Sequence, residues 1–140
     1  MKALSIRQPW AWLICKGLKD IENRDWATKV RGRVYIHAGK KLDLDGLSSL
    51  IHRPKPRLTS RDILHRAFAQ DEIVRGAIIG EVDIIDCKFR FGDENDSLYS
   101  PWHTVGQYGF VLVNPVLYAK PIPCKGRLHF FEPNIGLGAA

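Results

Sequence analysis

The sequence predicts a single domain of the α+β class, built as a small β-barrel or curled sheet with short helices beside it. Two observations support this prediction. The chain has 140 residues, 45% of them hydrophobic and 26% charged, which is the size and composition of one globular domain. Strand-like runs bounded by turn residues also outnumber the helical patterns, which are few and short.

The first helix is predicted directly after Pro9, because proline suits the first helical turn. Trp10, Leu13 and Ile14 recur on one helical face, which favours a core position for Trp10. Gly17 is well placed to end this helix after about two turns.

Two more helical patterns flank residues 52–57, whose two prolines and several charges indicate a solvated linker. Thr59 or Ser60 can cap the second of them, which ends near Gly76. The first pattern contains Leu42, Leu44, Leu47, Leu50 and Ile51, and the second contains Ile63, Leu64, Ala67, Phe68 and Ile73.

Four runs have the composition of strands, namely residues 32–38, 77–89, 108–113 and 127–131. The run 77–89 is long for one straight strand, so Gly80 is predicted to mark a bend or bulge. Residues 90–104 form a long polar loop with two aromatic residues. Loops of this length in compact domains are often functional, although a plain solvated crossover is the alternative.

The charge of the chain is uneven. The formal net charge is +6, but residues 1–66 carry 15 basic and 6 acidic side chains (15 − 6 = +9), whereas residues 67–140 carry 6 and 9 (6 − 9 = −3). This asymmetry indicates a nucleic-acid or membrane face, and a merely solvated basic surface is the alternative.

The three cysteines, Cys15, Cys87 and Cys124, are odd in number and widely spaced, which argues against a disulfide framework and a zinc site. We expect no metal and no cofactor. The apolar run at residues 10–15 is too short for a secretory signal, and no run approaches the ~20 residues that span a bilayer. These features predict a cytoplasmic protein without a membrane partner.

Several sequence motifs follow one another along the chain. They are SIRQPWAWLI at 5–14, GLKDIENRDW at 17–26, RG at 31–32, IHAGK at 36–40, GEV at 80–82, GQYGFVL at 106–112 and PIP at 121–123, with Gly126 and Phe130. These ordered motifs resemble the ASCH domain family, named for activating signal cointegrator homology. The resemblance covers essentially the whole chain, so residues 1–140 are interpreted as one ASCH domain. It implies a PUA-like fold, a small β-barrel flanked by short helices, with a cleft in which relatives handle RNA, DNA or modified bases.

Basic and aromatic side chains alternate in these motifs, a pattern typical of a site that contacts phosphates and stacks on bases. Trp12 and Trp26, which have polar neighbours, suit either stacking or core packing. His37 suits either phosphate contact or a structural role. The candidate ligand-binding residues are Arg7, Trp12, Arg24, Trp26, Arg31, His37, Lys40 and Trp102.

Lys19 and Glu22 are the candidate catalytic pair. In relatives that hydrolyse the acetyl amide of N(4)-acetylcytidine, a Gly-x-Lys segment like that at residues 17–19 supplies a catalytic lysine, and a threonine nucleophile follows three residues later. Here Glu22 stands at the threonine position, so a carboxylate activating water replaces the hydroxyl nucleophile. Lys19 and Glu22 would face opposite sides of a strand, so their pairing requires an irregular segment. Glu81 and Glu94 are candidates for a further acid.

The resemblance and the charge pattern together predict a domain that binds RNA, another single-stranded nucleic acid or a modified nucleoside, and that takes part in RNA processing. The alternatives are an amidohydrolase of N(4)-acetylcytidine that uses Lys19 and a carboxylate, a metal-independent ribonuclease, and a protein–protein adaptor.

Overall fold

The computed structural model describes residues 1–51, 73–94, 96 and 100–136. The predicted helix after Thr59 or Ser60 and the linker at 52–57 therefore lie outside the described residues. The elements are β1 (Ala3–Gln8), α1 (Trp10–Cys15), β2 (Ile21–Arg24), β3 (Gly32–Leu42), α2 (Leu44–Ile51), β4 (Ala77–Phe89), β5 (Tyr108–Pro123) and β6 (Phe130–Phe131).

The strands form one mixed six-stranded sheet in the order β2-β5-β4-β3-β1-β6. Only β1 and β3 pair in parallel, and the other neighbouring strands of the described sheet are antiparallel. The fold is thus sheet-dominated with few short helices. The described sheet is not closed into a barrel, because its ladder pairs do not join β2 to β6.

The sheet nevertheless curls, so that its two edges come within side-chain reach of each other. Arg24 on β2 donates from Nη2 to the backbone oxygen of Ser5 on β1, at 2.8 Å. Trp26, just beyond β2, packs edge-on against Phe130 on β6, with ring centroids 5.9 Å apart. Side chains rather than ladder hydrogen bonds therefore bridge the open side of the sheet.

Several predicted elements are confirmed with changed limits. The run 77–89 is β4, and its pairing with β5 shifts register between Ile78 and Gly80, which is the bulge that the glycine predicted. Strand β5 continues ten residues beyond the predicted end at 113, whereas the run 127–131 keeps strand pairing only in β6. The helix beside Leu44 is confirmed as α2.

Helix α1 packs on the sheet and carries much of the core. Its residues from Ala11 to Cys15 are buried. Gly80 lets the helix and β5 approach closely, since a Cβ there would lie 2.7 Å from Cys15 Sγ and 2.1 Å from the backbone oxygen of Val116. Gly17 ends the helical segment with a φ of 79°, a conformation that glycine adopts without steric cost.

The core lies between α1 and the sheet and is formed by buried aliphatic and aromatic residues that include Leu4, Leu13, Ile36, Ile84 and Phe110. Burial of such a side chain contributes about 1.5–3 kcal/mol. In the described part of the chain, no helix is long and apolar enough to cross a membrane.

Candidate functional site

A cleft of about 760 Å³ opens where the curled sheet edges face each other. This volume lies in the range of small-molecule sites, about 300–1,000 Å³. Its residues come from the end of β1, the start of α1, β2 with the preceding Lys19, the end of β3, the segment 43–46 at the start of α2, the segment 102–107 and the segment 127–129. The cleft therefore joins parts of the chain that are far apart in sequence.

Three charged side chains, Lys19, Glu22 and Arg24, form the floor of this cleft. Lys19 lies in the irregular segment before β2, so it can reach Glu22, and its Nζ is 3.5 Å from Glu22 Oε1. Arg24 donates to Glu22 Oε2 from Nε at 3.1 Å and from Nη2 at 3.0 Å. We call these three residues the buried triad. It holds one anion between two cations, so its formal charge is +1.

The side chains of the buried triad have little contact with solvent, and this affects the pKa of Lys19. The side chains of Lys19 and Glu22 are 5% and 9% exposed, and that of Arg24 is 22% exposed. Loss of solvation lowers the pKa of Lys19, while the neighbouring Glu22 and Asp20 charges oppose that change. The Lys19 ammonium also donates to the backbone oxygen of Ile21. The floor is thus a largely buried, polar surface in which each charge has a partner.

Trp10 stands at one side of the triad as an aromatic wall. Its indole Nε1 donates to Asp43 Oδ2 at 2.8 Å, and the Lys19 ammonium lies 5.8 Å from its ring centroid. The indole hydrogen bond and the Gly46 backbone amide, which donates to Asp43 Oδ1, lower the pKa of Asp43. Trp102 meets Trp10 edge-on, with centroids 6.5 Å apart. The wall is therefore held in place by hydrogen bonding and ring packing.

Asn23 fastens the segment from Trp102 to Thr104, which lines the cleft next to Trp10. Its Nδ2 donates to the backbone oxygen of Trp102 at 2.9 Å, and its Oδ1 accepts from the Thr104 amide at 2.8 Å. Ser100 is anchored by donation to Asp20. The predicted functional loop at 90–104 thus contributes its last part to the cleft; residues 95 and 97–99 lie outside the described residues.

Exposed cations surround the mouth of the cleft. Arg7 projects from β1, Lys40 and Lys41 from the end of β3, and Arg127 from the segment before β6. We call these four residues the basic rim. The Asp43 carboxylate also lies at the mouth, but it accepts hydrogen bonds from Trp10 and Gly46. The positive charge of the four cations therefore predominates, and the mouth favours a negatively charged ligand.

Comparison with known proteins identifies the family. A family model described as the ASCH domain matches residues 4–121. This chain belongs to the ASCH domain family. The ASCH chain is 33% identical over 130 residues to activating signal cointegrator 1 of Homo sapiens and 30% identical over 124 residues to that of Mus musculus. Each alignment covers 89% of this chain but 21% of the relative, so the chain spans about a fifth of the length of these proteins.

The ASCH cleft brings together six of the residues predicted for a site. Lys19, Glu22 and Arg24 form its floor, and Trp102 lies beside Trp10. Arg7 and Lys40 belong to the basic rim.

Four predicted ligand-binding residues lie elsewhere, each for a clear reason. Trp12 is 2% exposed, on the side of α1 that packs in the core. Trp26 packs behind Arg24, against Phe110, Phe130 and His129. Arg31 is exposed and donates to the backbone oxygens of Thr28 and Val30. His37 is 1% exposed, with both ring nitrogens within hydrogen-bond distance of protein partners.

The two candidates for a further acid also lie outside the cleft lining. Glu81 accepts from Arg33 Nε at 3.0 Å, on the part of β3 and β4 remote from the triad. Glu94 is exposed in the segment after β4. Within the described residues, no group of three or more His, Cys, Asp or Glu side chains is arranged to hold a metal ion.

Sequence reasoning missed Trp10, Asn23, Asp43 and Ser5 as cleft residues. Trp10 was expected in the core because it shares a helical face with Leu13. Since it is the first residue of α1, its ring extends past the helix end toward Asp43. The Asn23 clamp spans about eighty residues of sequence, so only the pairing of β2 with β5 places its partners.

Proposed function

We propose that the cleft binds single-stranded RNA by taking one nucleobase onto the buried triad while the basic rim contacts the adjacent phosphates. The observation that carries the proposal is the combination of a buried, charged floor with an aromatic wall and a cationic mouth in one cleft. The resemblance to a family whose members handle RNA, DNA or modified bases supports the same class of ligand.

The floor suits the edge of a nucleobase, which presents both donors and acceptors in one plane. Glu22 supplies an acceptor, while Lys19 and Arg24 supply donors, and all three are held by one another before a ligand arrives. Fixed partners reduce the entropy lost on binding, which increases affinity. The Trp10 ring offers a face for stacking, and a stacked base contributes about 1–3 kcal/mol.

The rim supplies the part of binding that does not depend on base identity. Each phosphate that a cation neutralises in a single strand contributes about −0.7 to the slope of log K against log salt. Arg7 and Lys40 are both exposed at the mouth, so either can approach a phosphate without rearrangement of the core.

The test is fluorescence anisotropy with a labelled ten-nucleotide RNA at several salt concentrations. We expect Lys40→Ala to weaken binding and to reduce the salt slope by about 0.7, corresponding to one lost phosphate contact. Lys29→Ala is the matched control, because Lys29 is exposed but lies outside the cleft lining. Equal effects of the two substitutions, or no binding at low salt, would contradict the proposal.

Hydrolysis of an acetylated nucleobase is the second candidate, and the burial of Lys19 favours it. Desolvation lowers the pKa of this amine, which brings it closer to use as a base near neutral pH. The measurement is acetate release from N(4)-acetylcytidine, which this candidate requires in the wild type and which Lys19→Met should abolish. Absence of acetate release from the wild-type protein would remove this candidate and leave binding as the function.

A further inference from the structure

A serine and a histidine meet beside the triad, at a place that the proposed function does not use. Ser5 on β1 and His37 on β3 are direct neighbours in the parallel pairing of these strands. Ser5 Oγ lies 2.9 Å from His37 Nδ1. This distance is within the hydrogen-bond reach that joins a nucleophile to its base.

The second nitrogen of His37 defines the direction of this hydrogen bond. Nε2 lies 2.7 Å from the backbone oxygen of Cys124. A carbonyl oxygen only accepts, so Nε2 carries the hydrogen, and in the neutral imidazole Nδ1 is then the acceptor. The Ser5 hydroxyl therefore donates to Nδ1, which is the orientation required of a hydroxyl that a histidine deprotonates.

Of the pair, Ser5 lines the cleft and is half-buried, whereas His37 is buried outside the cleft lining. Ser5 and Gly39 both line the cleft, and their side-chain positions are adjacent, since a Cβ on Gly39 would lie 3.4 Å from Ser5 Oγ. Gly126 lies against both side chains, because a Cβ there would lie 2.6 Å from His37 Cε1 and 3.1 Å from Ser5 Oγ. Phe131 packs edge-on against the same ring at 5.8 Å. His37 is thus shielded, while Ser5 borders the cleft.

We propose that Ser5 is a nucleophile activated by His37, and that it transfers the acyl group of a negatively charged carboxylic ester to water. The reaction class follows from the hydroxyl and imidazole pair, and the negative charge follows from the basic rim of the same cleft. The guanidinium of Arg24, which donates to the Ser5 backbone oxygen at 2.8 Å, places positive charge next to the reacting residue.

The reaction requires only the ester and water as reactants. Ser5 Oγ forms a bond to the ester carbonyl carbon while its proton passes to His37 Nδ1. The carbon–oxygen bond to the alcohol then breaks, and the alcohol leaves with that proton. Water, deprotonated by Nδ1, attacks the acyl-serine, and the carboxylic acid and free Ser5 are released.

The test is labelling of the wild-type protein with a fluorophosphonate, followed by localisation of the adduct by peptide mass spectrometry. General-base catalysis contributes about 10²-fold to 10⁴-fold, so Ser5 should react at least about 100-fold faster than Ser48, an exposed serine on α2. Labelling of Ser5 at the rate of Ser48 would overturn the proposal. Because no nucleic acid is present, this result is independent of RNA binding.

Three variants and two esters complete the test. His37→Gln should reduce Ser5 labelling to the rate of Ser48, and unchanged labelling would refute the role of His37. If that variant does not fold, Ser5→Ala should still abolish turnover of 4-nitrophenyl hemisuccinate, whereas Ser48→Ala should not alter it. After the rate of each ester without protein is subtracted, the anionic hemisuccinate should be hydrolysed faster than 4-nitrophenyl acetate, and the reverse preference would contradict the assigned substrate class.

Discussion

Substitution of Glu22 by glutamine is the most direct perturbation of the buried triad, because it removes the anion and keeps the shape. Lys19 Nζ is 3.5 Å from one carboxylate oxygen, and both Arg24 donors bind the other. At an effective dielectric constant of about 20, one such pair near 4 Å corresponds to about 4 kcal/mol. The substitution leaves two cations close together with no anion between them.

We therefore expect Glu22→Gln to lower the free energy of unfolding by about 3–5 kcal/mol, the usual cost of removing one partner from a buried ion pair. With a urea m-value of about 2 kcal/mol/M, the unfolding midpoint should fall by about 1.5–2.5 M. Glu132→Gln is the matched control, since that side chain is 73% exposed and lies 3.9 Å from the N-terminal amine. Its effect should stay within about 0.5 kcal/mol.

The assay is urea denaturation followed by circular dichroism, with Lys19→Met and the double variant completing a mutant cycle. Replacement of both partners removes the uncompensated ammonium, so the double variant should be more stable than Glu22→Gln alone. An unfolding midpoint of Glu22→Gln equal to that of Glu132→Gln, or strict additivity in the cycle, would refute the coupling of these charges.

Three further predictions concern titration and packing. Because burial lowers the pKa of Lys19 below its ordinary 10.5, the unfolded state binds more protons than the native state between the native pKa and 10.5, so this residue makes stability rise with pH over that interval. Lys19→Met should remove that rise in urea midpoints measured as the pH approaches 10.5, and an unchanged slope would count against it. Burial raises the pKa of Cys15 from 9.0 to about 12, so Ellman's reagent at pH 8 should modify Cys87 and Cys124 in the native protein and Cys15 only after unfolding. Rapid reaction of Cys15 would show that the end of α1 does not pack on the sheet. Gly80→Ala should destabilise the protein by about 1–3 kcal/mol in thermal or urea unfolding, because its Cβ would meet the Val116 oxygen at 2.1 Å, and a neutral result would contradict the close packing of β4, β5 and α1.

Local patterns in the sequence were sufficient to predict β4, the bulge at Gly80 and the helix beside Leu44, since these depend on alternation, glycine and helical spacing within a few residues. The strand β1 was not predicted, because its parallel pairing with β3 depends on residues about thirty positions away. The closed barrel implied by family resemblance is also not formed by the described sheet, in which side chains such as Arg24 bridge the edges.

For the site, motif reasoning identified Lys19, Glu22 and Arg24 because they stand close together in the chain around one short strand. It left Trp12 open between stacking and core packing, and the structure places that ring in the core while the Trp10 ring lines the cleft. Spacing along a helix shows which residues share a face, but a ring at the first helical position can leave that face. No motif in the sequence predicts that Ser5 and His37 are neighbours. Its two residues are 32 positions apart, and the register of β1 on β3 brings them together.

The central claim is that a nucleobase enters the cleft beside Trp10, and the indole N–H resonances of the four tryptophans test it most directly. Titration of the ¹⁵N-labelled protein with a ten-nucleotide single-stranded RNA should shift the Trp10 signal, because that indole lines the cleft and donates to Asp43 at 2.8 Å. The Trp12 signal should remain in place, since that ring is 2% exposed in the core. Saturable RNA binding that leaves the Trp10 resonance unmoved would contradict the account.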